Sequence, residues 1–213
     1  MLLSFRNITI ILFLVLSQHL FSTDFEGKIT MVKETCFDTV YYNYFISKNN
    51  IRIEEMDTKK EIKGIYLVKL DKEEVYFVHP QKEMYTKIRK HKFNSQNQNQ
   101  FEIRKTENFK IINGSMCFQW RVKNKSKNTE FAYWVTQNNF AFFEKMVKVL
   151  NQHDLYWEFF NKIPENQGFF PMISEERNLV RDMKMTTEVL QINRKNIDRS
   201  LFFIPSDYKL MTM

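Results

Sequence analysis

From residue 27 onward, apolar and polar residues alternate with a period of two, and short polar turns interrupt the alternation. Residues 27–34 (GKITMVKE) set Ile29 and Met31 against Lys28 and Thr30, and residues 39–47 (TVYYNYFIS) put Val40, Tyr42, Tyr44 and Ile46 on one face. After the polar 48–50, Ile51 and Ile53 resume the alternation in 51–55, and 57–60 is a charged turn. Residues 63–70 and 74–79 (EVYFVH) read as strands joined by Asp71, Lys72 and Glu73, and 80–82 turns the chain into 83–87. Short runs rich in β-branched and aromatic residues, separated by short polar turns, predict an antiparallel meander. The tract 92–100 (KFNSQNQNQ) is polar and of low complexity, and reads as an exposed loop. Beyond it, 116–124 alternates Phe118, Trp120 and Val122 with Gln119, Arg121 and Lys123. Residues 129–136 alternate Phe131, Tyr133 and Val135, with 125–128 as the hairpin turn.

At Phe142 the period changes. Met146, Val149, Leu150, Tyr156, Trp157 and Phe160 follow at steps that form one apolar stripe, which predicts a helix over 142–160. Asn138 or Asn139 is the expected N-cap, and Pro164 and Gly168 the stop. Such a stripe must be buried, and the meander offers the surface. Strand character returns at 170–175 and 178–193, where Met183, Met185, Thr187 and Val189 share a face. The tail 196–211 is a turn followed by an apolar stretch with Pro205. The pattern predicts a mainly β (α+β) fold. It is a curved antiparallel sheet, or incomplete β-barrel, with a helix packed across its concave face.

Composition narrows this further. The chain has 213 residues, enough for one domain of ordinary size, with 43% hydrophobic residues and 21 Phe, which favours a large core. Only 4 Gly leave almost nothing for phosphate-cradling loops. The net charge is +7, but acid and base are mixed along the chain, so no nucleic-acid arm is expected.

At the start, Arg6 precedes an apolar run, Ile8 to Leu16, and Ser17, Gln18 and His19 then return to polarity. This reads as a signal peptide over 1–22 and a single domain over 23–213, with a mature N-terminus between His19 and Asp24. The run is too short to span a bilayer, which takes about 20 apolar residues. No cysteine lies near the cut to carry a lipid anchor. The expected compartment is the periplasm or the exterior, with no membrane span after cleavage.

Several phrases taken in order resemble a known family: FEGKI (25–29), FISKNNIRIE (45–54), VKLDKEEVYFVHPQKEMY (68–85), INGSMCFQWRV (112–122), YWVT (133–136) and NIDRSLFFIPSDYKLM (196–211). They resemble an uncharacterised exported bacterial domain, domain of unknown function four-four-one-two, over nearly all of the mature chain. That family is in turn similar to the outer-membrane lipoprotein carrier and receptor (LolA/LolB-like) fold. The resemblance implies an incomplete barrel lidded by helices, an apolar cavity for acyl chains, and a Gram-negative envelope setting. FFNKIPENQGFF (159–170) stands where a looser Gly- and Met-rich linker is expected, implying a longer or stiffer lid.

Catalytic patterns are absent from the sequence. There is no G-x-S-x-G, H-E-x-x-H or P-loop, and His79, His91 and His153 have no triad-like spacing around Ser115. Cys36, Cys117, His79 and His91 could form a zinc ligand set in principle, but no pair has the short spacing of a structural site, so no metal and no cofactor is expected. Cys36 and Cys117 are the disulfide candidates, provided the register brings their Cα atoms within about 7 Å. The alternating aromatics Tyr42, Tyr44, Phe77, Phe118, Trp120, Phe131 and Tyr133 are chiefly core material. A half-barrel would leave some of them lining a cavity, joined by Met146, Trp157, Met183 and Met185. The leading expectation is a non-enzymatic exported protein that binds a lipid, a lipoprotein acyl chain or another apolar ligand. The alternative is a structural or interaction protein whose barrel is filled by its own side chains.

Overall fold

The computed structural model describes residues 24–90, 100–151 and 158–211. The predicted signal peptide, His91, the polar tract up to residue 99, His153, Tyr156 and Trp157 lie outside the described residues. The first meander runs through β1 (Gly27–Thr35), β2 (Thr39–Ser47), β3 (Asn50–Met56), β4 (Ile62–Lys69), β5 (Glu74–His79) and β6 (Met84–Lys87). The second comprises β7 (Phe101–Ile112), β8 (Ser115–Asn124) and β9 (Thr129–Gln137). Helix α1 (Ala141–Asn151) and the single turn α2 (Glu158–Asn161) come next, followed by β10 (Phe169–Arg177), β11 (Met183–Arg194) and the two-residue β12 (Lys209–Leu210).

All twelve strands form one open sheet in the order β12-β6-β5-β4-β3-β2-β1-β11-β10-β9-β8-β7. Every pairing is antiparallel except the parallel contact of β12 with β6. β1 joins the two meanders by pairing with β2 on one side and with β11 on the other. Gly27 permits that junction. Its φ is 152° and a Cβ there would lie 2.1 Å from the Asn193 carbonyl oxygen, so only glycine lets β11 approach.

Register carries the alternation across the sheet as rows. Ile29, Tyr44, Ile53, Tyr66 and Phe77 are successive cross-strand partners on β1 to β5. Lys33, Thr187, Ser174, Tyr133 and Trp120 make the corresponding row through β11, β10, β9 and β8. Because partners face the same way, each row is a line of side chains on one face.

The sheet must curve. α1 touches both β5 and β10, which stand six strands apart in the order. A flat sheet would separate them by about 29 Å at roughly 4.8 Å per strand, against a helix diameter of about 10–12 Å. The expected incomplete barrel with a helix across its concave face is therefore the observed fold.

The helix seats through Phe142, Phe143, Met146, Val147 and Leu150, all buried. Its outer face carries Glu144 and Lys148 as an ion pair of 2.6 Å, one turn apart. α1 begins at Ala141, one residue before the expected Phe142. Asn139 takes a left-handed φ of 58°, and its carbonyl accepts a 3.0 Å bond from the Phe25 N–H. That bond ties the helix entry to the start of β1. On the convex face, Ile65, Leu67 and Val78 form a second small core with Ile204 and Tyr208 of the tail. Arg52 holds the tail in place by donating to the Leu201 carbonyl at 3.1 Å while pairing with Glu54 at 2.9 Å.

β7 is the strand that the alternation does not predict, and there are two reasons. It is the sheet edge, so most of its side chains are exposed, and its register slips between Lys105 and Phe109. Neither feature leaves a period-two signal.

The disulfide expectation is corrected. Cys36 and Cys117 are both free, the first exposed and the second buried. Cys36 sits in the turn between β1 and β2, and Cys117 is on β8, four strands away across β11, β10 and β9. The register therefore never brings the two sulfurs within bonding reach.

Candidate functional site

Between the concave face and the last turn of α1 lies a pocket of about 100 Å³ that opens toward solvent. Tyr42, Tyr44, Met31, Ile53 and Tyr66 form one wall, from β1 to β4. Phe131 of β9, Met185 of β11 and Leu150 of α1 close the other side. Four polar residues complete the lining: Lys33, Glu55, Ser174 and Thr187. Strand alternation explains each of them. Lys33 continues the Ile29–Met31 phase, Glu55 continues Ile51–Ile53, Ser174 is two residues past Met172, and Thr187 is two past Met185.

The cavity is small because the protein fills most of its own half-barrel. Phe25, Phe140, Phe142, Phe143, Phe160 and Phe170 are almost wholly buried. Their rings meet at centroid distances of 4.8 Å for Phe143–Phe170, 4.9 Å for Phe140–Phe170 and 5.1 Å for Phe143–Phe160. These are contact distances at which aromatic pairs attract beyond simple burial.

The polar groups stand in an unusual setting. Ser174 is 2% exposed, and its Oγ has no hydrogen-bond partner among the described residues. An unpaired buried hydroxyl costs about 1–3 kcal/mol, so it is retained at the expense of stability. Burial pushes the Glu55 carboxyl up from its ordinary range, the nearby Lys33 ammonium pulls it back, and Asp38 adds a further push. Burial also raises the Tyr44 phenol, with Glu55 contributing, and raises Tyr133 likewise. Both phenols therefore remain neutral at physiological pH.

Glu55 supplies a test of this electrostatic picture. A carboxyl whose folded value is raised favours the folded state in acid and loses that contribution as pH climbs through the raised value. Glu55→Gln should therefore gain thermal stability over wild type as pH rises from 4 to 7, with little difference at pH 4. Melting curves at both pH values check this. An equal difference at the two would show that Glu55 is not desolvated.

A sequence profile of the family described as a domain of unknown function (DUF4412) matches residues 25–208. The chain belongs to that family. No curated protein matches this DUF4412 chain in sequence. Among solved structures, an uncharacterized conserved protein from Thermus thermophilus is similar with a TM-score of 0.58 at 9% identity, covering 94% of this chain and 98% of that one. What the two share is the fold. The complex of MucA and MucB from Pseudomonas aeruginosa gives a TM-score of 0.47 at 8% identity, over 87% of this chain and 58% of that one. A putative outer membrane lipoprotein-sorting protein domain from Vibrio parahaemolyticus gives 0.31 at 6% identity, over 83% and 87%. Likenesses this slight bear on neither ligand nor partner.

Of the residues singled out in the sequence, Tyr42, Tyr44, Phe131 and Met185 meet at the pocket. The others among the described residues lie elsewhere. Tyr133 and Met146 are sealed in the core beside it. Trp120 packs on Phe169 at 4.6 Å, with the Lys105 ammonium over its ring. Phe77 lies over Gly64, where a Cβ would come within 2.6 Å of the ring, and it touches Tyr66 and His79. Phe118 and Met183 are exposed, because Met183 falls beyond the register slip at Glu176/Arg177 and Phe118 sits next to the sheet edge. Sequence reasoning missed the polar members Lys33, Glu55 and Ser174. Their signal is a polar residue in an apolar phase of a strand.

Among the described residues no three His, Cys, Asp or Glu side chains gather as a metal-binding group. No described helix is long and apolar enough to cross a membrane.

Proposed function

We propose that this chain is an exported, non-enzymatic binding protein that takes the end of an alkyl or similar apolar chain into the pocket under α1. The observation that carries the proposal is an open pocket between sheet and helix whose walls are mostly apolar, built of Tyr42, Tyr44, Tyr66, Met31, Met185 and Leu150. Size sets the limit on what binds. Sites that engulf a drug-sized ligand run about 300–1,000 Å³, and this pocket is about 100 Å³. It accommodates a chain terminus, and the rest of a lipid would project through the mouth. Two turn tips stand at that end of the sheet with exposed apolar side chains: Phe37, 95% exposed, and Val180, 77% exposed. They offer contact to a membrane surface or to the projecting ligand. The mostly apolar walls favour entry by the apolar end of the chain. The polar lining holds no histidine or cysteine to serve Ser174 as a base.

A second reading has its own support. The ring-filled half-barrel fits an interaction protein that takes no ligand and acts through its surface.

Met185→Trp separates the two readings, because an indole at the pocket rim fills the remaining space. Uptake of a fluorescent fatty acid should be lost in Met185→Trp while the melting temperature stays close to wild type. Ser174→Ala should melt higher, since it removes an unpaired hydroxyl worth about 1 kcal/mol or more. Wild-type protein that neither takes up the probe nor carries an apolar molecule in native mass spectrometry from its own envelope would leave the self-filled reading standing.

A further inference from the structure

A second concavity, of about 370 Å³, lies at the opposite end of β2 to β5 from the pocket. It is formed where three turns meet: the β2–β3 turn, the β4–β5 turn and the single 3₁₀ turn Arg199–Phe202 of the tail. Lys48, Lys69, Lys72 and Arg199 line it with one carboxylate, Asp71. Among the described residues, Lys48, Lys72 and Arg199 form no ion pair. The arrangement is fixed rather than floppy. The Leu70 N–H donates to the Asn49 carbonyl at 2.8 Å and locks the first two turns side by side. Arg52 holds the third turn through the Leu201 carbonyl at 3.1 Å, Asp198 caps it by accepting from the Ser200 N–H at 2.9 Å, and Phe202 is buried beneath it. Phe203 stands 67% exposed at the rim.

We propose that this bowl binds a phosphate-type polyanion, either free in solution or carried as a lipid headgroup. Like charges brought together by three separate segments repel one another, and a stable fold usually scatters them or supplies counter-charges. Here Lys48, Lys72 and Arg199 face the single lining carboxylate Asp71 in a concave site of ligand size, while Lys69, the fourth cation, is answered by Glu74 on the neighbouring strand. Excess charge of that sign and magnitude calls for an anion of several charges. Arg199 offers a planar fork, and the lysines offer point charges, the two forms in which proteins hold phosphate oxygens. The exposed Phe203 ring gives an apolar contact for whatever bears the phosphate. The site is independent of the apolar pocket, and neither needs the other.

The test uses the mature chain and two probes: pyrophosphate by titration calorimetry, and vesicles of phosphatidylglycerol against phosphatidylcholine by co-sedimentation. Lys48→Gln/Lys72→Gln removes two bowl cations, and Lys145→Gln/Lys195→Gln removes two exposed lysines elsewhere. Matching melting curves verify that both variants are folded. Pyrophosphate binding that falls at least tenfold in the bowl variant, and less than twofold in the control, supports a free anion as ligand. Binding to phosphatidylglycerol vesicles alone, lost in the bowl variant and kept in the control, supports a headgroup. Equal loss in the two variants reports only the diffuse charge of the chain and overturns the proposal, as does failure of both probes to bind wild type.

Discussion

Phe160→Ala should lower the melting temperature by about 6–20 °C. Phe160 is wholly buried. Its ring meets Tyr133 of β9 edge-on at 5.3 Å and Phe143 of α1 at 5.1 Å, so one side chain joins helix, sheet and the α2 turn. Removing a buried Phe costs about 3–5 kcal/mol through lost transfer energy and the cavity left behind. For a domain of this size each kcal/mol moves the midpoint by about 2–4 °C. The rings it meets, Tyr133 and Phe143, belong to a strand and to another helix and cannot both collapse into the space, which favours the upper half of the range. Phe37→Ala is the comparison, since that ring is almost wholly exposed and its loss should shift the midpoint by no more than a degree or two. If both variants melt together, the aromatic cluster does not anchor the helix.

How much of this is legible in the sequence differs by element. The strands β1 to β6, β8 and β9 can be read because one face of each meets the core, and burial of one face is what writes a period of two. The helix is legible for the same reason at a different period. Its start lies within one residue of the expected Phe142, whereas the left-handed turn at Asn139 and its tie to Phe25 are a tertiary contact with no local signature. β7 has little buried face and so writes nothing. The candidate site is half legible. Alternation shows that Tyr42, Tyr44, Glu55 and Met185 point to the concave side. It does not show which stretch of that side α1 covers, so Trp120 and Met146, equally well phased, are core. Polar residues in apolar phase are the better guide, since a buried Ser174 or Glu55 costs stability and needs a reason to persist. The bowl of cations cannot be read at all, because Lys48, Lys72 and Arg199 look like ordinary turn charges until the fold brings their turns together.

Leu150→Asp should cost about 3–5 kcal/mol and abolish uptake of an apolar probe. Leu150 is 4% exposed and forms the helix side of the pocket. An aspartate there trades an apolar contact for a charge beside Phe131 and across the pocket from Tyr44, Met31 and Glu55. The penalty carries a pH signature. Burial favours the protonated form of the new carboxyl, and Glu55 and Lys33 of the same pocket act on it in opposite directions, so burial sets its folded pKa above the unfolded one. Stability is then retained in acid and lost as pH rises, and the deficit relative to wild type should be larger at pH 8 than at pH 5. Lys148→Gln, two residues away on the outer face of the same helix, removes only the ion pair between an exposed ammonium and the half-buried Glu144, and should change stability by less than about 1 kcal/mol. Leu150→Met keeps the volume and the apolar character, and should preserve both the melting temperature and uptake. The decisive measurement is thermal unfolding of the three variants at both pH values, with fatty-acid fluorescence on the same samples. A Leu150→Asp protein that melts like wild type at pH 8 would mean that α1 does not seat on the concave face. One that loses stability but still takes up the probe would place the ligand elsewhere and remove the pocket from the functional argument.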